Sequence, residues 1–221
     1  MMTATLPSSD AMPMLGLGTW GLRGAHCTRV IRLAADVGYR HIDTAEFYGN
    51  HTQIGEALAQ AGIPRSEFFI TTKIPPEDLR YDAIIAACER YLRELQTDYV
   101  DLLLIHWPNE KFDMRRMMRA LGHLVDAGRT RNVGVSNFTR RLIDQAIVDC
   151  PVALATNQVE FHPFLQQPLL LEHCRSKGII LTAYCPLAKG RVQDSSVIQE
   201  IARQHAKLPA HVALRWLLQK G

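Results

Sequence analysis

The sequence lacks the signatures of several protein classes. Its five cysteines form no CxxC pair, and no Cys/His spacing suggests zinc, so we expect no metal site and reduced, mostly buried thiols. No apolar run approaches the length of about 18 residues that a membrane span requires. No basic segment followed by an apolar run opens the chain, which predicts the absence of a secretory signal and a cytoplasmic location.

The sequence also lacks a large excess of positive or negative charge. The formal net charge is +3, and basic pairs such as Arg115-Arg116 and Arg140-Arg141 are short. Such pairs are typical of solvated helix faces, and we expect neither nucleic acid nor a membrane as a partner. No GxGxxG follows a predicted strand, which disfavours a doubly wound dinucleotide-binding sheet.

The chain instead shows a regular alternation of apolar strand patterns and amphipathic helix patterns. Its 221 residues, 47% of them hydrophobic, suffice for one barrel-sized domain or two small ones. Strands are predicted to begin near residues 15, 39, 68, 99, 132, 155 and 179. Helices are predicted over residues 28–37, 52–61, 83–95, 113–127, 140–148, 168–177, 196–205 and 209–219. Asp82 is predicted to cap the third of these helices.

The spacing of the strands predicts the architecture. Seven β/α units with near-continuous apolar strands, such as residues 99–106, indicate a parallel sheet covered on both faces. A spacing of about 25 to 30 residues fits a (β/α)8 TIM barrel, which runs to about 250 residues. We therefore predict an α/β fold, a (β/α)8 TIM barrel that reaches its seventh unit, with residues 1–221 as a single domain and residues 1–11 as a loose terminus.

Polar side chains stand where successive predicted strands end. Asp43, Lys73 and His106 end the second, third and fourth strands, and Tyr48 lies five residues after Asp43. Each alone has an ordinary structural explanation, such as a helix cap or a core histidine. Because the carboxyl ends of parallel strands meet at one face of a barrel, the four together predict an active site.

These residue types suit the reduction of a carbonyl group. Hydride attack on a carbonyl carbon leaves an alkoxide that needs a proton. Tyrosine, with a pKa of about 10, donates one poorly unless a nearby lysine cation lowers that pKa. Asp43 can hold Lys73 charged, and a neutral His106 can orient the carbonyl oxygen. Hydride transfer itself would belong to a cofactor.

Several segments carry a resemblance to a known family. The chain resembles the aldo-keto reductases, over residues 14–221, in GLGTW, DTAEFYGN, TTKI, LLLIHWPN, GVSNF, TNQVEFHP and AYCPLAKG. The resemblance implies the catalytic tetrad Asp43, Tyr48, Lys73 and His106, with Tyr48 as proton donor. It further implies NADPH-dependent reduction of small aldehydes and ketones, and the TAYCPLAKG segment looks most like the 2,5-diketo-D-gluconate reductase branch, whose members also reduce small dicarbonyls.

The same resemblance assigns the remaining site residues. Ser136, Asn137 and Gln158 would bind the nicotinamide carboxamide, and Tyr184 would stack on the ring. The full cofactor-binding set would be Thr19, Trp20, Asp43, Ser136, Asn137, Gln158, Tyr184, Cys185 and Leu187. The substrate pocket would be lined by Trp20, Phe47, His106 and Trp107.

The sequence departs from the family pattern at three places. His51 stands where the family often has Glu, and Cys185 where it has Ser, and we expect both to be minor. The eighth strand and the IPKS-like loop that grips the adenosine 2′-phosphate are absent, so the preference for NADP over NAD rests on the family alone. Either a fragment or a truncated paralogue fits this pattern. We expect a monomer if the chain is complete, and association through an open barrel edge if it is not.

Two other functions fit the sequence less well than carbonyl reduction does. A non-catalytic, reductase-like module that binds a nucleotide or a protein partner would explain the lost segment but not the four residue types retained together. A metal-dependent barrel hydrolase is disfavoured because no His and Asp ligands cluster at the strand ends.

Overall fold

The computed structural model describes residues 2–221. The strands are β1 (Thr3–Thr5), β2 (Ala11–Pro13), β3 (Gly16–Gly18), β4 (His41–Asp43), β5 (Phe69–Ile74), β6 (Val100–Ile105), β7 (Thr130–Ser136), β8 (Leu154–Glu160) and β9 (Ile180–Tyr184). The helices are α1 (Gly24–Asp36), α2 (His51–Gln60), α3 (Tyr81–Leu95), α4 (Met114–Asp126), α5 (Arg140–Asp149), α6 (Pro168–Ser176), α7 (Ser196–Gln204) and α8 (Pro209–Lys220). Every predicted strand and helix is present, with bounds shifted by a few residues at most.

The chain divides into two compact units, residues 2–156 and residues 157–221. In the first unit, β3, β4, β5, β6 and β7 pair side by side, and each pair is parallel. All six residues of β5 and all six of β6 are buried, as expected for strands covered on both faces. The register places Asp43 of β4 beside Thr71 of β5, and Lys73 beside Leu104 of β6, so the strand ends that carry polar groups adjoin one another.

Helix starts in the first unit follow local capping chemistry. Asp113 accepts a hydrogen bond from the Arg116 backbone N–H at the start of α4, and Thr139 accepts one from the Leu142 N–H at the start of α5. The prediction that Asp82 caps α3 is wrong, because that helix begins at Tyr81 and Asp82 lies within its first turn. There a carboxylate interacts favourably with the positive end of the helix instead.

The prediction of a loose N-terminal segment is also wrong. Strands β1 and β2 form an antiparallel hairpin with Thr3 opposite Pro13. The loop of this hairpin contacts β7, since the Ser8 hydroxyl donates to Asn132 Oδ1 at 2.7 Å and Asn132 Nδ2 donates to Asp10 at 2.8 Å. Polar residues that looked unstructured along the sequence therefore find partners more than 120 positions away.

Two glycines mark close backbone approaches. A Cβ on Gly55 of α2 would lie 2.7 Å from the backbone of Leu95, so α2 crosses the C-terminal end of α3 closely. A Cβ on Gly134 of β7 would lie 2.6 Å from the carbonyl oxygen of Thr156. Both positions exclude any side chain because backbone atoms, unlike flexible side chains, have little room to yield.

The second unit has its own small core. Ala188, Val192, Ile198 and Ala213 are buried together, with Leu187 packed against them. The rings of Phe161 and Trp216 stack with centroids 5.8 Å apart. These contacts join the loop after β9 to α7 and α8, and they fix the segment that follows Tyr184.

The architecture agrees with the predicted fold class. In the first unit, strands β3 to β7 are neighbours in chain order, and one α-helix lies between each strand and the next along the chain. Such a succession of parallel neighbours is the topology of a β/α barrel rather than of a doubly wound sheet, in which the strand order reverses. Among residues 2–221, no helix is long and apolar enough to cross a membrane.

Candidate active site

A buried ion pair lies at the ends of β4 and β5. Lys73 is fully buried, and its Nζ donates to Asp43 Oδ1 at 2.5 Å and to the Thr44 carbonyl oxygen at 2.8 Å. Burial lowers the pKa of Lys73, and the negative charge of Asp43 offsets part of that decrease. Asp43 is thus the group that favours the cationic form of a lysine that burial would otherwise neutralise.

Tyr48 lies beside this pair on a single helical turn, residues 46–48, that directly follows β4. The Lys73 Nζ is 5.3 Å from the centre of the Tyr48 ring. The turn ends at Gly49, whose φ of 57° is in the left-handed region. The buried Asn50 then donates to the carbonyl oxygens of Thr19 and Leu22, which fixes the end of the loop.

His106 follows β6 and faces Tyr48. The two ring centres are 6.0 Å apart in an edge-to-face arrangement. Burial, followed by the positive charge of Lys73, lowers the pKa of His106 to about 4, so its imidazole is neutral at pH 7. Its Nδ1 is buried without a hydrogen-bond partner among residues 2–221.

The residues predicted to line a substrate pocket are aromatic and exposed. Trp20 is 73% exposed, Phe47 49% and Trp107 46%, so core packing does not explain them. The Phe47 ring centre lies 5.4 Å from that of His106, and Trp107 directly follows His106 along the chain. Apolar surface therefore adjoins His106. Trp20 follows the buried Thr19, whose hydroxyl and backbone N–H both donate to the Asp43 carbonyl oxygen.

Two predicted cofactor residues end β7 in the same unit. Ser136 is buried, and Asn137 has a φ of 62°, in the left-handed region that asparagine tolerates. The Asn137 side-chain amide donates to the His106 carbonyl oxygen and to the Ser136 hydroxyl, each at 3.0 Å. The end of β7 is thus held directly beside His106, the residue that follows β6.

The other predicted cofactor residues belong to the second unit. Gln158 is buried on β8, and Tyr184 is the last residue of β9. Burial raises the pKa of the Tyr184 phenol and of the neighbouring Cys185 thiol, so both are protonated at pH 7. Cys185 has a φ of 49°, and Leu187 packs on the core of the unit.

One group of residues beside the site was missed by the sequence reasoning. Glu46, on the same turn as Tyr48, accepts a hydrogen bond from the Tyr91 hydroxyl of α3 and pairs with Arg90 at 2.7 Å. His51, which we had expected to be a minor departure, is buried and bonded to Glu94 and Thr72. Tyr91 is buried on α3, and the periodicity of that helix gives no sign of its hydrogen-bond partner.

The donor set within the first unit suits acid catalysis at an oxygen atom. It comprises a phenol, a lysine paired with a carboxylate and a neutral imidazole, all next to apolar surface. Among residues 2–221, no group of three or more His, Cys, Asp or Glu side chains is arranged to hold a metal ion.

Comparison with known proteins places this geometry in a family. A model described as the Aldo/keto reductase family matches residues 14–221. The glyoxal reductase of Bacillus subtilis (strain 168) is 41% identical over 220 residues, which are 99% of this chain and 79% of that protein. The methylglyoxal reductase of Escherichia coli O157:H7 is 41% identical over 214 residues, which are 96% of this chain and 80% of that protein.

A solved structure agrees with both. The crystal structure of a candidate 2,5-diketo-D-gluconic acid reductase B superposes with a TM-score of 0.95 at 41% identity, over 99% of this chain and 78% of that one. This likeness confirms the predicted fold class, a (β/α)8 barrel represented through its seventh unit. Sequence motifs, fold and relatives agree, and the chain belongs to the aldo/keto reductase family of oxidoreductases.

Proposed function

We propose that the protein reduces small aldehydes and ketones to alcohols with NADPH as cofactor. The observation that carries the proposal is the position of Lys73, bonded to Asp43 and 5.3 Å from the centre of the Tyr48 ring. A lysine with a purely structural role would gain no stability from complete burial beside a phenol. A lysine with a catalytic role has a reason to lie there, because its cation lowers the pKa of the phenol and makes the phenol a better general acid.

Tyr48 donates the proton to the carbonyl oxygen of the substrate. The cation of Lys73 favours the phenolate that remains, and Asp43 favours the cationic form of that lysine. The site therefore offers a proton when the alkoxide develops and stabilises the negative charge left on the tyrosine.

His106 positions the carbonyl group. Because its imidazole is neutral at pH 7, its Nε2 can donate a hydrogen bond to the substrate oxygen without competing as a stronger acid. The edge-to-face contact of the two rings, with centres 6.0 Å apart, supports a carbonyl oxygen shared by His106 and Tyr48. The buried Nδ1 without a partner agrees with this tautomer, in which Nε2 carries the hydrogen.

The chemistry of the predicted cofactor residues fits a nicotinamide. A carboxamide requires donors and acceptors, which Ser136 and Asn137 at the end of β7 and Gln158 on β8 provide, and Tyr184 provides an aromatic ring. Thr19, Trp20, Asp43, Cys185 and Leu187 complete the proposed set. A reduced nicotinamide, when bound, supplies the hydride. The choice of NADPH rests on the family resemblance.

Small dicarbonyls are the proposed substrates. Phe47 and Trp107 provide apolar surface next to His106, and the exposed Trp20 is proposed to add to it. Two relatives are named for reduction of glyoxal and methylglyoxal. We place the reaction in the cytoplasm because all five cysteines are free thiols. One domain acting as a monomer is the proposed working form.

The test is oxidation of NADPH by the purified protein in the presence of methylglyoxal, followed at its absorbance band, beside a Tyr48→Phe variant. We expect turnover in the wild type and a loss of at least about a hundredfold in the variant, the usual contribution of a general acid. Full activity of Tyr48→Phe would show that the assigned proton donor is wrong. Absence of turnover in the wild type across a series of small aldehydes and dicarbonyls would refute the function itself.

A further inference from the structure

The turn that carries Phe47 and Tyr48 is held to helix α3 by its first residue. Both carboxylate oxygens of Glu46 are engaged from that helix. One oxygen accepts a hydrogen bond from the Tyr91 hydroxyl, and the other pairs with the Arg90 guanidinium at 2.7 Å. We call Glu46, Arg90 and Tyr91 the Glu46 cluster.

Tyr91 gives the cluster a fixed reference point. It is fully buried, and burial together with the charge of Glu46 raises the pKa of its phenol well above its usual range. The hydroxyl therefore remains a donor at any pH at which an enzyme works. A buried hydroxyl without an acceptor is costly, so the contact with Glu46 restricts where that carboxylate can lie.

The ring of Tyr91 also contacts His51 of α2, which is in turn bonded to β5. The His51 ring centre is 4.8 Å from that of Tyr91. His51 bonds through Nδ1 to Glu94 at 3.0 Å and through Nε2 to Thr72 at 2.8 Å. Thr72 immediately precedes Lys73, so the packing that places Tyr91 continues into the strand that carries the buried lysine.

The turn between Glu46 and Tyr48 is too short to absorb a displacement. The Tyr48 N–H donates to the Ala45 carbonyl oxygen at 3.0 Å, and the Gly49 N–H donates to that of Glu46 at 2.9 Å. A movement of Glu46 therefore moves the whole turn. Phe47 and Tyr48 both contact the His106 ring, so that movement changes the geometry of the proposed site.

We propose that Glu46 is a positioning residue, which, held by Tyr91 and Arg90, sets the placement of the Tyr48 phenol relative to Lys73 and His106. The inference rests on the proposed function, since it concerns the same proton donor. Glu46 does not touch the substrate in this account and acts through the turn. Misplacement of a catalytic group by about 1 Å can reduce a rate by about a hundredfold, so a modest displacement suffices.

The experiment compares three variants with a matched control. Glu46→Ala removes both contacts, Glu46→Gln retains an acceptor for the Tyr91 hydroxyl, and Tyr91→Phe removes only that hydroxyl. The control is Glu89→Ala, because Glu89, also on α3, pairs with Arg129 at a similar distance of 2.8 Å and with similar exposure but away from the turn. Each is assayed for kcat and KM across pH, for binding of NADPH and for amide hydrogen exchange.

For Glu46→Ala and Tyr91→Phe we expect kcat to fall between about tenfold and a hundredfold while the Kd for NADPH stays unchanged. The basic limb of the kcat profile should move to higher pH, because the phenol lies farther from the Lys73 cation. The amides of Tyr48 and Gly49 should exchange faster. Glu46→Gln should recover part of kcat, and Glu89→Ala should behave as the wild type.

Three outcomes would overturn the proposal. Unchanged exchange at Tyr48 and Gly49 would show that the cluster does not hold the turn. Faster exchange with an unchanged kcat profile would assign the cluster a structural role only. Equal losses in Glu46→Ala and Glu89→Ala would point to general destabilisation. Tyr48→Phe is measured in parallel. If the wild type is active and Tyr48→Phe is not, the proposed function stands in each of these three cases, and only the role of Glu46 is refuted.

Discussion

Replacement of Lys73 by methionine tests the electrostatic core of the proposed mechanism. Methionine retains much of the buried volume but removes the cation that lies 5.3 Å from the centre of the Tyr48 ring. With that distance as the charge separation and an effective dielectric constant of about 20, a cation favours a phenolate by about 3 kcal/mol. Its removal should therefore raise the pKa of the Tyr48 phenol by about two.

The consequence is measurable as a displaced pH profile. A phenol with a higher pKa is a weaker proton donor, so we expect kcat for methylglyoxal reduction to fall by up to about a hundredfold. The basic limb of the profile should move upward by about two pH units. The assay is NADPH oxidation between pH 5 and about pH 10, the ordinary pKa of the phenol, at saturating cofactor.

Loss of fold must be separated from loss of chemistry. Breaking a buried ion pair costs about 3–5 kcal/mol because it leaves the partner charge unpaired, here Asp43. Arg65→Met is the matched control, since Arg65 pairs with the buried Asp101 at 2.7 Å before the start of β5. Both variants should show reduced stability in urea. A folded Lys73→Met protein whose basic limb coincides with that of the wild type would refute the electrostatic reasoning.

Further predictions concern stability. His106 has a pKa of about 4 when folded and about 6.5 when unfolded, so the unfolded chain takes up the proton first as the pH falls. His106 should therefore lower the free energy of unfolding between pH 6.5 and 4 by no more than about 2 kcal/mol after allowance for solvent screening. His106→Asn should remove this contribution and leave those of the buried His41 and His51, whose pKa values burial also lowers. Equal slopes for the variant and the wild type in urea titrations would contradict it. Gly134→Ala should cost about 1–3 kcal/mol, because its Cβ would meet the Thr156 carbonyl oxygen. Gly18→Ala should cost less, because among residues 2–221 only Gly18 and its chain neighbours have heavy atoms within 4 Å of the added Cβ. Equal urea midpoints for the two variants would contradict the steric argument.

The parts of the structure that the sequence predicted well depend on short-range pattern and topology. Strands such as β5 and β6 are apolar on both faces, and their bounds agree with prediction to within one residue. Parallel neighbours end at one edge, which is why Asp43 and Lys73 could be expected to meet. Strand β4 is shorter than predicted because the Tyr39 N–H donates to the Ala34 carbonyl oxygen and so closes the preceding helix.

The parts that were missed depend on rotation and on distant partners. The inward position of Tyr91 followed from helical period, but its contact with Glu46 joins residues 45 positions apart and requires the exact rotation of α3. The periodicity of a helix defines its buried face, not the atom that a hydroxyl on that face reaches. His51 looked like a simple exchange of one polar residue for another, yet its two ring nitrogens join α2 to Glu94 and Thr72.

The N-terminal hairpin has a consequence for how the chain acquires its structure. Its bonds from Ser8 and Asp10 to Asn132 close loops of 124 and 122 residues. The entropy of such closure must be overcome before these bonds can form, whereas the neighbouring strands β3 to β7 assemble through shorter loops. We therefore expect the hairpin to dock after the first unit has gained its strands. A fluorescent probe attached near Ser8 should then report a late refolding phase, and a docking signal that precedes burial of the strands would reverse that order.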